Sequence, residues 1–591
     1  MPISYDIWAP LPGRVTLVAG GTHHPMTRGE DDWWRPAHPL PAELCRSGVD
    51  YGYLLDDETT PRPDPRSRYQ PEGVHGLSRT FDPAGHAWND QRWGGRQLAG
   101  GAVYELHVGT FAGVDGRSGT LDSAIEHLDH LVDLGIDFVE LMPVNAFNGE
   151  HGWGYDGVGW YAVHHAYGGP EAYLRFVDAC HQRGLAVIQD VVHNHLGPSG
   201  NYLTQFAPYL KPAATPWGDA INIDGPCSDE VRAHILDNAT MWLRDYHVDG
   251  LRLDAVHALV DTHAMHILEE LAGHVEALSA ELGRPLTLIA ESDRNDPRFV
   301  TAPEAGGHGL TAQWNDDFHH ALVANLTGDV SGYYADFGDL EALAKVCRRG
   351  FFHDGVRSSF RGRRHGRPID ITRTQAWRFV VCQDNHDQIG NRADGRRLAS
   401  MVSTDQVAIA AALTLLGPMT PMVFQGEEWA ASTPFAFFTS HPEPELAEAV
   451  REGRKAEFAE MAWDQSRILD PQDEATFSQS MLIWDELGDQ PHAEVLELNT
   501  QLLRIRRTVP GFADPRFTSV QVDHAGEDEP RWFRLDRGDR SSVVVNFGED
   551  EASVPIPGEG WTVLLGRHAD LDEASSVLRL GGHGLAVLHR G

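Results

Sequence analysis

Gly250-Leu251-Arg252-Leu253-Asp254 reads as a short strand that ends in charge: apolar residues alternate with an arginine and an aspartate set two apart, on one side of an extended chain. The residues before it read as a helix. Ser228, with Asp229 and Glu230 behind it, is placed to cap that helix, and Val231, Ile235, Trp242 and Tyr246 mark one of its faces. The same alternation extends in both directions. Strands are expected at Ala102 to Leu106, Phe138 to Met142, Ala186 to Asp190, Leu286 to Glu291, Leu310 to Trp314, Arg378 to Gln383 and Pro421 to Gln425. Between the first of these strands, Leu121, Ile125, Leu128 and Leu131 recur at helical spacing as far as Gly135. Pro170 opens another helix, which carries Leu174 and Val177 and ends at Gly184. Eight strands with helices between them predict an α/β fold, a (β/α)8 TIM barrel with loop insertions. A doubly wound sheet would give similar spacing, but no GxGxxG opens the first crossover helix.

On either side the pattern changes. Short alternating segments such as Tyr5-Asp6-Ile7-Trp8 and Val15-Thr16-Leu17-Val18 predict an N-terminal β-sandwich, of a carbohydrate-binding-like kind, over residues 1–92. The Pro- and Arg-rich stretch from Thr60 to Pro83 reads as an ordered connector draped on the barrel. The barrel is expected over 93–510. Segments such as Ser542-Val543-Val544-Val545-Asn546 predict a small all-β domain over 511–591.

Composition narrows the function classes. With 48 Lys+Arg against 86 Asp+Glu, the net charge of −38 would repel a phosphate backbone, so nucleic acid is not an expected partner. Five cysteines, Cys45, Cys180, Cys227, Cys347 and Cys382, stand singly, without a CxxC pair or a disulfide framework. The first residues show no basic segment followed by an apolar one, and no apolar run of membrane-spanning length occurs, so a cytoplasmic protein without a membrane partner is expected. Nothing in the sequence indicates oligomeric state. The 16 tryptophans fit a sugar-binding protein, since indole faces pack on sugar rings. Trp33-Trp34 and the run Trp153, Tyr155, Trp160, Tyr161 look too polar in context to be all core.

Four polar clusters fall at strand ends: Asp190 to His195, Arg252 to Asp254, Glu291 to Asp293, and Asp384 to Asp387. One barrel mouth would collect them. Cleaving a glycosidic bond needs a proton donor for the leaving oxygen and a carboxylate across the anomeric carbon. Arg252 would keep Asp254 ionised, and Glu291, partly buried beside it, would stay protonated. Asp387 is a third carboxylate, with His195 and His386 as donors to sugar hydroxyls. The same atoms could hold a metal, but apart from His193 and His195, which face opposite sides of a strand end, no close histidine pair supports one. Each cluster taken alone could be a structural salt bridge.

Together the four clusters resemble the motif regions of the α-amylase-type glycoside hydrolase family. The resemblance implies Asp254 as nucleophile, Glu291 as acid/base and Asp387 as transition-state stabiliser. It also implies substrate binding by His195, Arg252 and His386, with Tyr155 stacked on the sugar being cleaved. Within the family, Asp64 to Gly76, Trp314 to His320 and Asp384 to Arg392 are similar to the trehalose-releasing members. Those members imply hydrolysis of the α-1,4 bond beside the terminal trehalose of maltooligosyl trehalose, giving trehalose and maltooligosaccharides. The alternative is a glycogen branching enzyme, whose last motif usually reads SHDE where this chain has Asn385 and Gln388; debranching enzymes and a binding protein on the same fold are more distant readings. Trehalose selection is expected of Trp217, Phe351, Phe352, His257 and Glu427. No cofactor is implied. Asn194 stands where α-amylases have an asparagine that helps bind calcium, but no catalytic metal is expected.

Overall fold

The computed structural model describes residues 3–113, 116–215, 218–460, 467–525, 530–572 and 574–591. Trp217 therefore lies outside the described residues. The N-terminal strands β1 (Ile7–Trp8), β2 (Val15–Ala19), β3 (Thr22–Arg28), β4 (Trp33–Pro36), β5 (Asp50–Leu55) and β6 (Ser78–Arg79) form one antiparallel path in the order β1-β4-β3-β2-β5-β6. Strand β3 serves two partners: Thr22 to Pro25 pair with β2, and Met26 to Arg28 pair with β4. The connector after β5 lies on the following helices, with Arg66 on Asp237 and Arg68 on Asp245, each at 2.7 Å.

The next strands are β7 (Val103–Leu106), β8 (Phe138–Leu141), β9 (Ala186–Val191), β10 (Gly250–Leu253), β11 (Thr287–Ala290), β12 (Ala312–Trp314), β13 (Phe379–Cys382) and β14 (Thr420–Phe424). They close into an eight-stranded barrel in sequence order, every pairing parallel, with β14 returning to β7. All eight lie where the alternation of apolar runs and helices places them. The lower interior is filled by Val103, Phe138, Ala186, Ile188, Ile289, Ala312, Val380 and Met422, a dry plug below the mouth. A last sheet holds β15 (Val520–His524), β16 (Trp532–Arg537), β17 (Ser541–Asn546), β18 (Ala552–Pro555), β19 (Trp561–Asp572) and β20 (Val577–Arg590). Among the described residues no helix is long and apolar enough to cross a membrane.

Local details depart from the sequence reading. The periodic run from Leu121 is two helices, Leu121–Ile125 and Leu128–Leu134, the second ended by Gly135 in the left-handed region. Ser228 is the first helical residue rather than the cap; Cys227, with φ 64°, turns the chain into the helix, and Trp242 lies in the π-helical turn Met241–Asp245 that follows. The aromatic clusters are mostly core: Trp34, Trp153, Trp160 and Tyr161 are buried, Trp34 with its Nε1 on the Ala9 carbonyl inside the N-terminal sheet and Trp153 with its Nε1 on the Ala436 carbonyl of the loop after β14.

Asp249, fully buried, anchors the start of β10. It accepts hydrogen bonds from the Val187 amide (2.9 Å), His181 Nε2 (2.9 Å), Trp93 Nε1 (2.8 Å) and Arg284 Nη1 (2.6 Å). Four donors depend on one carboxylate, so Asp249→Ala should cost about 3–5 kcal/mol and lower the thermal midpoint measured by circular dichroism. A midpoint within a degree or so of wild type would show that the anchor is dispensable.

Candidate active site

Strand β10 carries Arg252 into the barrel, where its side chain is 2% exposed. Its Nη1 donates to Asp190 Oδ2 at 2.9 Å and Asp254 Oδ1 at 2.7 Å, and Nη2 lies 3.7 Å from Glu291 Oε2. The register explains the meeting: Asp190 is paired with Arg252 across β9 and β10, and β11 ends one residue before Glu291. Trp314, from the end of β12, places its ring 4.3 Å from the guanidinium carbon, which holds the cation from the other face. Burial opposes the charge of Arg252, but Asp190, Tyr155, Asp254 and Glu291 outweigh it and hold its pKa well up.

Asp254 has a second anchor. Asn194 Nδ2 donates to its Oδ2 at 2.6 Å and to its backbone carbonyl at 2.9 Å. The amide of Asn194 is thus spent on Asp254, and its Oδ1 meets His195 Nδ1 at 2.5 Å, an arrangement that does not fit a calcium ligand. Among the described residues no group of three His, Cys, Asp or Glu side chains is placed to hold a metal ion.

Glu291 is set differently. Ala255 takes a left-handed conformation, φ 40°, and so aims its N–H at Glu291 Oε2 at 2.7 Å. Burial pushes the Glu291 carboxyl up to about 8; Arg252 pulls it down, while Asp254 and Asp316 push it further up. Asp387 follows β13 in a short helical turn, exposed, with Asn391 Nδ2 on its Oδ1 at 2.8 Å. The structure therefore brings Asp254 and Glu291 onto one guanidinium, and charge links Asp387 to them through Asp316, whose carboxyl is pushed up to about 7 by burial and by Asp387.

The imidazoles and Tyr155 form one wall. His386 donates from Nδ1 to Glu105 Oε1 at 2.5 Å, and its backbone N–H reaches Glu105 Oε2 at 3.0 Å. Burial works against a charged His386, but Glu105 more than compensates, so its pKa is raised. Tyr155 stacks on His386 with centroids 5.1 Å apart and donates its hydroxyl to Asp190 at 2.7 Å. Its carbonyl lies 2.7 Å from His195 Nε2. Burial lowers the pKa of His195.

Three expected pocket residues lie elsewhere or only partly at the rim. Phe351 is core: after the helix Leu340–Arg349 and Gly350 the chain turns inward, and the ring packs edge-on against Phe379 at the start of β13. Phe352 is half-buried, held by Phe337 and by Lys345, whose ammonium lies 5.2 Å from the ring centroid. Glu427 is buried in a small cavity with Gln383, Asp384 and Arg397, behind the strand ends. His257 is half-buried beside Asp293, Arg294 and Asp254. The residues this loop does bring to the rim are Phe360, 49% exposed and 6.2 Å from Tyr333, and Arg361, on Asp293 at 2.9 Å. Glu105, Trp314 and Asp316 were missed as site residues; a lone charge or indole inside a barrel strand, or a doubled aspartate after one, was the available signal.

A closed parallel barrel with carboxylates gathered on a buried arginine at its mouth defines a glycoside hydrolase of the α-amylase type, and the α-amylase catalytic-domain family matches residues 89–216. A family described only as a domain of unknown function, DUF3459, matches residues 515–587. The chain is 56% identical to a malto-oligosyltrehalose trehalohydrolase of Rhizobium sp. (strain M-11), covering 94% of this chain and 92% of that one. It is 56% identical to the enzyme of the same name from Arthrobacter ramosus, covering 99% of each. A solved Salmonella typhimurium chain described as a candidate α-amylase superposes with a TM-score of 0.88 at 34% identity, covering 99% of this chain and 97% of that one. The chain belongs to the malto-oligosyltrehalose trehalohydrolase family.

Proposed function

We propose that this protein hydrolyses the α-1,4 bond beside the terminal trehalose of maltooligosyl trehalose, releasing trehalose and a maltooligosaccharide, with retention at the anomeric carbon. The observation that carries the reading is the asymmetry across Arg252. Two nitrogens of one guanidinium face two carboxylates, yet Asp254 is gripped by charge-bearing and amide donors while Glu291 is pushed up to about 8 by burial. One acid is prepared to attack and the other to give a proton. Their sharing of one guanidinium suits the separation of roughly 5–5.5 Å that retaining enzymes use. The names of the full-length relatives support the choice of substrate.

In the first step Glu291 protonates the glycosidic oxygen as Asp254 attacks the anomeric carbon. The bond to the trehalose unit breaks, trehalose leaves, and a glycosyl ester on Asp254 forms. The Ala255 amide fixes Oε2 of Glu291 as an acceptor, which assigns the proton to Oε1. In the second step ionised Glu291 takes a proton from water, whose oxygen attacks the same carbon from the vacated side and frees Asp254. Asp387, in the helical turn after β13, is the third carboxyl group and is assigned to the cationic ring of each transition state. Tyr155 and His386 form the wall beside that ring, and the carbohydrate partner is a neutral α-glucan. Phe360, Tyr333 and Arg361 provide an aromatic plate and a hydroxyl-binding cation for the leaving disaccharide.

Chromatography of products from maltooligosyl trehalose tests the assignment: free trehalose is expected, whereas lengthened or branched glucan would make the protein a transferase. Asp254→Asn and Glu291→Gln should each lose roughly a thousandfold or more in kcat, and near-wild-type turnover in either would end the assignment. Glu291 must be protonated to start the reaction, so activity is full below its pKa and is lost as pH rises through it. The alkaline limb of kcat/KM should fall near pH 8. Asp316→Asn removes a charge that pushes Glu291 up and should move that limb to lower pH; a limb that stays in place would refute this source of the shift.

A further inference from the structure

We propose that the cleft bounded by His75, Asn148, Pro442, Glu443, Pro444 and Glu445 is a remote subsite for the glucan arm of the substrate, one that makes turnover depend on chain length. The inference rests on the reading of the reaction given above and names what the opposite end of the same substrate touches.

The cleft is open, about 570 Å3, and lies among the connector, the loops after β8 and β9, and the loop after β14. Its floor is a set of polar groups already oriented by one another. Glu443 Oε1 accepts from Asn148 Nδ2 at 2.8 Å and from Ser199 Oγ at hydrogen-bond distance. His75 Nδ1 meets the Tyr202 hydroxyl at 2.7 Å, and its Nε2 lies 3.4 Å from Ser199 Oγ. The side chains of His75 and Glu443 are nevertheless 48% and 42% exposed, although Glu443 Oε2 itself is buried. Fixed carboxylate, amide, hydroxyl and imidazole groups beside the flat faces of Pro442 and Pro444 suit a sugar, which offers hydroxyls at its edge and C–H faces above and below.

Continuity with the catalytic wall is the second observation. Ser440, two residues before the cleft's prolines begin, accepts on Oγ the N–H groups of Glu150 and His151 at 2.9 Å each, which binds the loop after β14 to the loop that carries Tyr155. His441 Nε2 lies 3.6 Å from Asp156, the neighbour of Tyr155. A chain leaving the sugar on Tyr155 along this seam reaches Asn148 and Glu443. Position around the barrel is the third observation. Phe360 and Arg361 stand on the segment between the helix Leu340–Arg349 and β13, and Arg361 reaches back to Asp293 after β11. In the closed order β8 lies four strands from β12, directly across the mouth. A substrate with trehalose at the β11–β12 rim therefore extends its glucan arm toward the β8–β14 rim, where the cleft lies.

The test is kcat/KM on maltooligosyl trehaloses of increasing length, for wild type and for Asn148→Ala, Ser199→Ala and Glu443→Ala, with thermal midpoints measured alongside. The ratio of long-chain to short-chain kcat/KM should exceed one in wild type and fall about three- to tenfold in the variants, the effect of losing one or two sugar hydrogen bonds. Using three separate substitutions keeps the result interpretable if one of them misfolds. A ratio that is the same in wild type and in folded variants would overturn the proposal while leaving trehalose release intact. If wild type released no trehalose at all, the reaction reading would fail, and calorimetry with linear maltooligosaccharides would still decide the cleft: weaker binding by Glu443→Ala keeps it, equal binding removes it.

Discussion

A single buried guanidinium holds the mouth of this barrel together. Arg252 is 2% exposed, touches Asp190 and Asp254 directly, stands near Glu291, and is covered by the Trp314 ring. A cation so deeply placed is tolerable only if anions surround it, and anions so deeply placed only if it stays. The strand register follows from this mutual need. Sliding β10 by one residue would turn Arg252 and Asp254 out of the barrel, leaving Asp190 buried without its partner. The dry plug below and the charged layer above therefore specify each other: Ile188 and Ile289 fill the barrel where no charge could be matched, and Asp190 and Arg252 begin where the mouth opens.

The charged layer contains more acid than Arg252 can neutralise. Glu105 and Glu140 are cross-strand partners on β7 and β8, each 1% exposed, and Glu140 has no hydrogen-bond partner on either oxygen among the described residues. Burial, with Glu105 beside it, drives the Glu140 pKa well up. Glu105 instead takes His386, whose raised pKa supplies the compensating charge. The raised pKa of Glu140, the pairing of Glu105 with His386 and the raised pKa of Glu291 answer one constraint: burial disfavours any anion in this layer that Arg252 or His386 does not meet. The raised pKa of Glu291 follows from its burial and from where the neighbouring charges lie.

The barrel was legible in the sequence because each strand is an apolar run next to a helix stop or cap, as Gly135 before β8 and Gly184 before β9 show. The polar clusters were legible because β-strand ends share one address in this fold. What escaped the reading depends on burial that local sequence does not encode. Phe351 and Phe352 are adjacent aromatics in a long loop, yet one faces the core against Phe379 and the other lies under Lys345, because Gly350 redirects the chain. Trp160 and Tyr161 looked like surface aromatics until the connector covered them, with Arg66 reaching the Tyr161 hydroxyl at 3.3 Å. Glu105 lies in no motif, and Asp316 lies in one that does not say what it touches; their importance comes from neighbours that follow β13 and β11, hundreds of residues or tens of residues away.

The net charge of −38 is consistent with this arrangement rather than a clue to it. A neutral oligosaccharide is not steered by a long-range field, so the outer surface can be acidic without slowing encounter. What the substrate meets is the short-range layer beneath the mouth, where low dielectric makes each contact count. Such a site leaves recognition of a long chain to shape and hydrogen bonds at the rims, because fields that are screened within about 10 Å in salt cannot reach sugars several units from Arg252. Two rims with different chemistry then follow: an exposed phenyl ring and an arginine on the β11–β12 side, and a fixed polar floor with prolines on the β8–β14 side. Between the two rims lie Asp254 and Glu291, the carboxyl groups that meet the two ends of the Arg252 guanidinium.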